Sequence, residues 1–395
     1  MLKGIKYIIL RSREILVPTT DNLGIRRGAR TFELAPEQLE VEETELSYSE
    51  RNDLRRDPQT RALAPALPLK LIAPVESKDV ATPTTGSTWG IEAVGANSSP
   101  FDGSNITVAV LDTGIDPSHP AFTGVDLVQK NFTTDSDNDL NGHGTHCAGT
   151  IFGQDVEGTR IGVARNIKRA LIGKVLGSGG GSSPTIAKAI QWAVNEGAHV
   201  ISMSLGIDFP GYVRNLIDRG LQIEAATSIA LEGYRANINL FTQLSGFVQA
   251  NGLFAQGTII VAASGNESNR PSYEVSVAPP AAGTGVIAVG ALQESASGFS
   301  VARFSNDQVD ICAPGVDVIS AKVGGGFSSL SGTSMATPHV AGVAALWAQR
   351  QLALTGRVND QVLMSRLISS GTLKSLASGQ EINNIGTGIV QAPQS

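Results

Sequence analysis

The chain contains 395 residues, of which 41% are hydrophobic, and its formal net charge is −6. This length can bury a sizeable core, and the modest acidic charge argues against a polyanionic partner such as nucleic acid. No apolar stretch approaches the length that spans a bilayer, and residues 1–11 lack the apolar run and cleavage site of a secretory signal. We expect a monomer with no nucleic-acid or membrane partner. Its default location is cytoplasmic, unless it is secreted by an unrecognised route or with a leader that this sequence lacks.

The N-terminal region, residues 1–82, differs in composition from the rest of the chain. Residues 3–17 have the apolar content of one or two strands, and residues 33–61 are rich in charged side chains. Residues 62–74 alternate Pro and Ala with Leu, which is typical of extended chain. The change in composition predicts a boundary at 77–87, followed by a main domain at 83–395.

From residue 89 onward, short β-branched runs alternate with helical segments. Strands are predicted at 106–111, 169–176, 199–205, 258–263 and 286–291, and helices at 184–196, within 213–255, at 337–354 and at 360–369. Continuous apolar strands separated by helices indicate an α/β fold with a mostly parallel sheet covered on both faces. Functional residues of such sheets gather at the carboxyl ends of strands, where Asp112, Ser204 and Asn266 fall.

Two polar residues in the first half of this domain are candidates for catalysis. Asp112 ends an apolar strand, so its carboxylate either caps a turn or orients a histidine. His143 lies in the run Asn-Gly-His-Gly-Thr-His-Cys, and His146, three residues later, can share its helix face. The glutamate and spacing of a zinc-protease helix are missing, and so is an obvious third ligand. We therefore expect structural roles for the other four histidines, which are His119, His146, His199 and His339.

Two further candidates lie in the second half. Ser334 stands between small residues, just after Gly332 and ahead of an apolar helical run. The free amides and the dipole at such a helix start suit a nucleophile beside which negative charge develops. Asn266 follows an apolar strand in a glycine turn, where its amide either satisfies the backbone or donates to a developing oxyanion.

Together these motifs resemble the subtilisin-like serine proteases, the subtilase family. The resemblance covers residues 89–392 and rests on DTGID, GHGTHCAG, SMSLG, AASGN and GTSMATPHVAG. It implies a three-layer α/β/α fold and a serine endopeptidase that needs no cofactor for its chemistry. By motif, Ser334 is the nucleophile, His143 the general base and Asp112 its orienting carboxylate, while Asn266 and the Ser334 N–H hold the oxyanion. The two cysteines are expected to be reduced, and the position of Cys147 resembles the proteinase K branch.

The resemblance also implies how polypeptide substrates bind. The substrate backbone is expected to pair as an extended strand with two segments, Gly179, Gly180, Gly181 and Ser204, Leu205, Gly206. The specificity pocket is expected between the second segment and Ala262, Ala263, Ser264, Gly265. These walls are small and uncharged, which predicts a bulky apolar or broad preference at P1, the residue before the cleaved bond.

Three features depart from the family or extend beyond it. Calcium is common in subtilases, and Asp135, Asp137, Asp139 and Asp155 are candidate ligands here, although an acidic loop is also simply solvated. An insert at 209–256 forms either a helical arm beside the cleft or an elongated surface helix. Residues 1–82 stand where the family carries a pro-segment that assists folding and then inhibits the site, with cleavage predicted at 80–85; a permanent arm is the alternative.

Two other functions share these motifs. One is a catalytically silent binding protein that keeps the fold, although no residue of the site is missing. The other is an esterase or peptide ligase that uses the same acyl-enzyme intermediate. The sequence alone favours the endopeptidase.

Overall fold

The structure is a computed structural model that describes residues 6–13, 16–18, 32–34, 38–72, 75–76, 85–252 and 256–395. The cleavage region predicted at 80–85 lies outside these residues, apart from Thr85. Across the described part of the chain, no helix has both the length and the apolar character that crossing a membrane requires.

The described part of the N-terminal region is mainly strands. Its elements are β1 (Lys6–Arg13), β2 (Leu16–Pro18), β3 (Phe32–Leu34), β4 (Gln38–Glu45), α1 (Tyr48–Arg56), β5 (Thr60–Pro65), β6 (Pro68–Leu71) and β7 (Val75–Glu76). Strand β1 pairs antiparallel with both β4 and β5. Helix α1 starts at a capping box, in which Ser47 and Glu50 each accept a backbone N–H of the other. The charged residues between 38 and 61 therefore belong to a strand–helix–strand unit formed by β4, α1 and β5.

The rest of the chain alternates strands and helices. Its first elements are β8 (Gly86–Ser87), α2 (Trp89–Ala93), β9 (Thr107–Asp112), a 3₁₀ turn (Pro120–Phe122), β10 (Asp126–Asn131), α3 (His143–Phe152), β11 (Thr159–Arg160), β12 (Arg169–Lys174), β13 (Gly181–Ser182), α4 (Ser183–Asn195), β14 (Val200–Met203) and β15 (Leu205–Gly206). The remaining elements are α5 (Phe209–Asp218), α6 (Ile223–Gly252), β16 (Ile259–Ala263), β17 (Val286–Ser295), β18 (Gly298–Val301), β19 (Ile311–Pro314), β20 (Val318–Ala321), β21 (Phe327–Ser331), α7 (Thr333–Thr355), α8 (Asp360–Ser369) and α9 (Ile382–Ile385).

The central sheet is mostly parallel, as predicted. Its strand order is β10-β12-β9-β14-β16-β17-β18, and β19 pairs with β17 beside β18. Every pairing in it is parallel except that of β17 with β18. Because β9, β14 and β16 are neighbours, the residues that follow them meet at one edge of the sheet.

Both faces of the sheet are covered, which explains the continuous apolar strands. In β9, Val108 and Val110 face a core built with α3, α7 and α8, whereas Ala109 and Leu111 face a core built with α4 and α6. The N-terminal strands add Ile8, Leu10 and other apolar side chains to the second core. The three-layer α/β/α prediction is thus confirmed, with the antiparallel β4-β1-β5 sheet packed outside α4 and α6.

The predicted elements of the main domain are present, and they differ from the prediction mainly at their ends. The helix predicted at 360–369 is α8, and the strand predicted at 106–111 is β9, shifted by one residue. Helix α7 begins at Thr333, four residues before the prediction. The strand predicted at 199–205 is divided into β14 and β15, and the helical insert is two helices, α5 and α6.

Candidate active site

Asp112 and His143 form a buried pair at the carboxyl edge of the sheet. Oδ1 of Asp112 lies 2.7 Å from Nδ1 of His143, and both side chains are at most 2% exposed. Burial opposes the charged imidazole, but the negative charge and hydrogen bond of Asp112 more than offset it, so the pKa of His143 is raised well above 6.5. Nε2 of His143 has no hydrogen-bond partner within the described residues.

Asp139 holds the beginning of the helix that carries His143. The residue before this helix is Gly142, which has a left-handed backbone and no side chain to cap the free amides. Both oxygens of Asp139 fill that role: Oδ1 accepts from the Gly142 N–H at 2.8 Å, and Oδ2 accepts from the Thr145 N–H and hydroxyl at 3.0 and 2.7 Å. Oδ1 also accepts from the hydroxyl of Thr113, the residue after Asp112. The buried carboxylate of Asp139 therefore connects the residue after Asp112 to the start of the helix that carries His143.

Ser334 is the second residue of α7, and Asn266 caps the start of that helix. Gly332 offers no capping side chain, and Oδ1 of Asn266 accepts instead from the N–H and hydroxyl of Thr333, both at 2.9 Å. A Cβ on Gly332 would lie 3.0 Å from Nδ2 of Asn266, so the glycine permits the amide to approach this closely. Asn266 thus lies against the backbone that precedes Ser334.

The Ser334 hydroxyl contacts backbone carbonyls in this structure. Its Oγ lies 3.2 Å from the carbonyl oxygen of Ile72 and 3.4 Å from that of Ser204. No hydrogen bond joins it to Nε2 of His143. Such bonds are often long or absent before a substrate complex reacts, so this geometry does not argue against the pairing.

The contact with Ile72 follows from the path of the N-terminal region through the cleft. Strand β6 lies between two short strands and is antiparallel to both, with Leu69 opposite Gly181 and Leu71 opposite Leu205. A Cβ on Gly180 would lie 2.8 Å from the Leu69 carbonyl oxygen, and its φ of +84° also favours glycine. Beyond Ile72, β7 pairs with the end of β21, directly before α7. The N-terminal region therefore passes Ser334 at Ile72, and it is paired with the main domain both before this residue, through β6, and after it, through β7.

The residues around Ile72 include several that the sequence analysis did not single out. A cavity of about 510 Å³ is lined by Ile72, Gly206, Asp208, Arg214, Asn266, Glu267, Tyr273 and Val275, among others. Ser204 and residues 262–265, the expected pocket walls, are buried at the ends of β14 and β16. Burial raises the pKa of Glu267, which accepts a hydrogen bond from Asn306 at 2.7 Å. Asp208 could have been found from the sequence, since Asp-Phe-Pro is a helix-start signal.

The four acids proposed as calcium ligands do not share a site. Asp139 is 3% exposed and its oxygens accept protein donors, which does not fit a cation ligand. Asp135 accepts from the Ser178 N–H at 2.6 Å, and Asp155 pairs with Arg165 at 3.0 Å. Within the described residues, the one group of three converging potential ligands is Asp112, His143 and Cys147. We derive no step of the reaction through calcium.

The other histidines and the cysteines are buried. Burial lowers the pKa of His146 to about 3 and that of His199 and His339 to about 4, so these rings are neutral. His119 accepts from the Ala121 N–H at 3.1 Å within the 3₁₀ turn. Cys147 and Cys312 are free thiols, and burial raises the pKa of both.

The fold and site define a hydrolase with a buried aspartate–histidine pair, and with a serine at a helix start, at the carboxyl edge of a mostly parallel sheet. The model of the subtilase family matches residues 103–388. The chain therefore belongs to the subtilase family and is a subtilisin-like serine protease.

Named relatives agree with this assignment. M-protease of Shouchella clausii (strain KSM-K16) is 35% identical over 325 residues, which is 80% of this chain and 72% of the relative. Subtilisin Savinase of Lederbergia lenta is 36% identical over 311 residues, 77% of this chain and 96% of the relative. The major intracellular serine protease of Bacillus subtilis (strain 168) is 36% identical over 256 residues, 62% of this chain and 68% of the relative.

Proposed function

We propose that the protein cleaves peptide bonds through an acyl-enzyme on Ser334. The observation that carries this proposal is the 3.2 Å approach of the Ser334 hydroxyl to the carbonyl of an extended, strand-paired peptide segment. In the reaction, Ser334 Oγ turns toward Nε2 of His143, gives up its proton and attacks the carbonyl carbon. His143 then protonates the leaving amine, and water repeats the sequence to release the acyl group.

The surrounding groups supply charge stabilisation. Asp112 accepts from Nδ1 of His143, which fixes the tautomer and favours the imidazolium that forms during the reaction. The Asn266 amide and the Ser334 N–H stabilise the oxyanion, and the N-terminal end of α7 adds its dipole. All of these groups belong to the protein, so no cofactor enters the chemistry.

We also infer that the N-terminal region is a pro-segment that inhibits the site before it is removed. Support comes from β6, which pairs with both strands of the cleft, and from the buried contact of this region with α4 and α6. Asn237 of α6 reinforces that contact, because its Nδ2 donates to the Pro65 carbonyl at 3.1 Å. The contact of Ser334 with the Ile72 carbonyl supports Ile72–Ala73 as the cleaved bond, which is earlier in the chain than the region expected from composition.

The same register assigns substrate positions. Ile72 occupies P1 and is 5% exposed, while Leu69 occupies P4 and is fully buried. An apolar P1 fits the small, uncharged ends of β14 and β16.

The test compares full-length wild type with Ser334→Ala. Wild type should convert to a fragment that begins at Ala73, react with a fluorophosphonate probe and cleave a peptide ending in Leu-Lys-Leu-Ile before the scissile bond. Ser334→Ala should stay full length and unlabelled. Labelling that survives the substitution, or folded wild type that neither labels nor cleaves, would overturn the proposal. Intact-mass spectrometry that placed the new N-terminus elsewhere would overturn the assignment of the cleaved bond.

A further inference from the structure

Asp208, the residue directly before the insert at 209–256, faces the third residue before the proposed cleavage point. Nζ of Lys70 lies 3.8 Å from Oδ2 of Asp208, and their side chains are 63% and 25% exposed. Lys70 is opposite Gly206 in the β6–β15 pairing, two residues before Ile72. A substrate bound in the same register presents its P3 side chain at this place.

The fold holds Asp208 in position. It is the N-cap of α5, and its Oδ1 accepts from the Gly211 N–H at 2.7 Å, which leaves Oδ2 directed at Lys70. Helix α5 is in turn fixed on α6, where Leu216 packs on Ala226 and Ala230 in a small buried cluster. The carboxylate is therefore oriented before any substrate arrives, and less of the pairing energy is lost in ordering it.

The other charged side chains near Lys70 and Asp208 include both acids and bases. Arg214 and Glu267 line the same cavity as Lys70 and Asp208. On the other side, a cavity of about 570 Å³ between α5 and the N-terminal region is lined by Lys6, Glu43 and Arg219, with Lys70 and Asp208 again at its edge. Among these acids, Asp208 forms the ion pair with Lys70, so we expect its negative charge to attract a basic P3 side chain.

We propose that Asp208 makes the protease selective for substrates with a basic P3 residue. This proposal rests on the proposed endopeptidase function and adds a substrate class to it. The start of the insert then contributes to substrate specificity, because α5 holds the carboxylate of its N-cap beside the bound substrate strand. Exposed ion pairs are weak, so the expected preference is about threefold in kcat/KM for Lys over Gln and about tenfold for Lys over Glu.

The experiment uses three fluorogenic peptides, Leu-Lys-Leu-Ile, Leu-Gln-Leu-Ile and Leu-Glu-Leu-Ile, each ending in a leaving group after Ile. They are compared on processed wild type, Asp208→Asn and Asp218→Asn. Asparagine also caps helices, so Asp208→Asn removes the charge and keeps α5. Asp218→Asn is the matched control, because it removes the same charge from the exposed far end of the same helix.

The readout is the ratio of kcat/KM for the Lys and Glu peptides. We expect a ratio near ten in wild type and Asp218→Asn that falls with added salt, and a ratio near one in Asp208→Asn. An active enzyme with no preference, or a preference that Asp208→Asn leaves intact, would overturn the proposal. Failure of wild type to hydrolyse any of the peptides or a denatured protein would instead overturn the endopeptidase function, and this inference with it.

Discussion

Substitution of Asp139 by Asn tests whether one carboxylate organises the active site. Asp139 accepts five hydrogen bonds, from the Thr113 and Thr145 hydroxyls and from the N–H groups of Asn141, Gly142 and Thr145. Asparagine has the same shape, but one of its two branches is a donor. Whichever branch carries the NH₂, at least one buried N–H of the helix start then faces another donor.

The magnitude follows from the number of bonds lost. The Oδ2 branch accepts two hydrogen bonds and the Oδ1 branch accepts three. Hydrogen bonds to a charged group contribute about 1.5–3 kcal/mol each, so losing two lowers the free energy of unfolding by about 3–6 kcal/mol. At about 2–4 °C per kcal/mol, the melting temperature should fall by about 10 °C.

The assay is thermal unfolding at a fixed scan rate, in a Ser334→Ala background that prevents self-digestion. Asp137→Asn is the control, because Asp137 lies in the same loop with an exposed side chain. In the active background, Asp139→Asn should lower kcat more than it changes KM, since the helix start carries His143. A melting temperature within about 2 °C of the Asp137→Asn control would refute the capping role.

Four further predictions concern His143, Asn266 and the proposed cleavage site. The acid limb of the kcat/KM profile should lie above pH 6.5, because Asp112 raises the pKa of His143 and the neutral ring is the base; Asp112→Asn should move the limb to lower pH and reduce kcat by about 10⁴-fold. The raised pKa of His143 stabilises the folded state below pH 6.5, and this stabilisation is lost as the pH rises through the raised value. The free energy of unfolding of Ser334→Ala, measured in urea, should therefore fall over the pH range in which kcat/KM of the active enzyme rises. Asn266→Ala should reduce kcat by about 10²–10³-fold, and an unchanged rate would remove it from the oxyanion hole. Ile72→Glu should slow the conversion seen by mass spectrometry, whereas Val80→Glu should not, and the reverse result would favour the cleavage region expected from composition.

The order of elements and the candidate residues of the site could be predicted from the sequence because both depend on local patterns. Apolar runs of six to eight residues predicted the parallel strands, and short motifs with unusual glycine content indicated Asp112, His143 and Ser334 as candidates. The role of Asp139 and the ion pair of Asp208 with Lys70 could not be predicted in this way. Asp208 is recognisable in the sequence as a helix cap, but its contact with Lys70, like the contact of Asp139 with Thr113, exists only in the tertiary fold.

The start of α7 shows why one boundary was misplaced and what the true boundary does. The predicted start at residue 337 would place Pro338 in the first turn of the helix, where proline is favoured. The helix instead begins at Thr333 and contains Pro338 in its interior. Proline has no N–H, so the carbonyl four residues earlier, that of Ser334, has no partner within the helix. The Cys147 thiol at 3.4 Å and the Ser204 hydroxyl at 3.0 Å donate to that carbonyl instead.

This arrangement gives Cys147 a structural role beside Asp112 and His143. Burial keeps the thiol protonated, and it is therefore available as a donor to the Ser334 carbonyl. Because Cys147 belongs to the helix of His143 and Ser204 lies between β14 and β15, the freed carbonyl joins Ser334 to the helix that carries His143 and to the segment between β14 and β15. Because of Pro338, the Ser334 carbonyl accepts two hydrogen bonds from outside α7 in place of one within the helix, and these two bonds hold Ser334 in position.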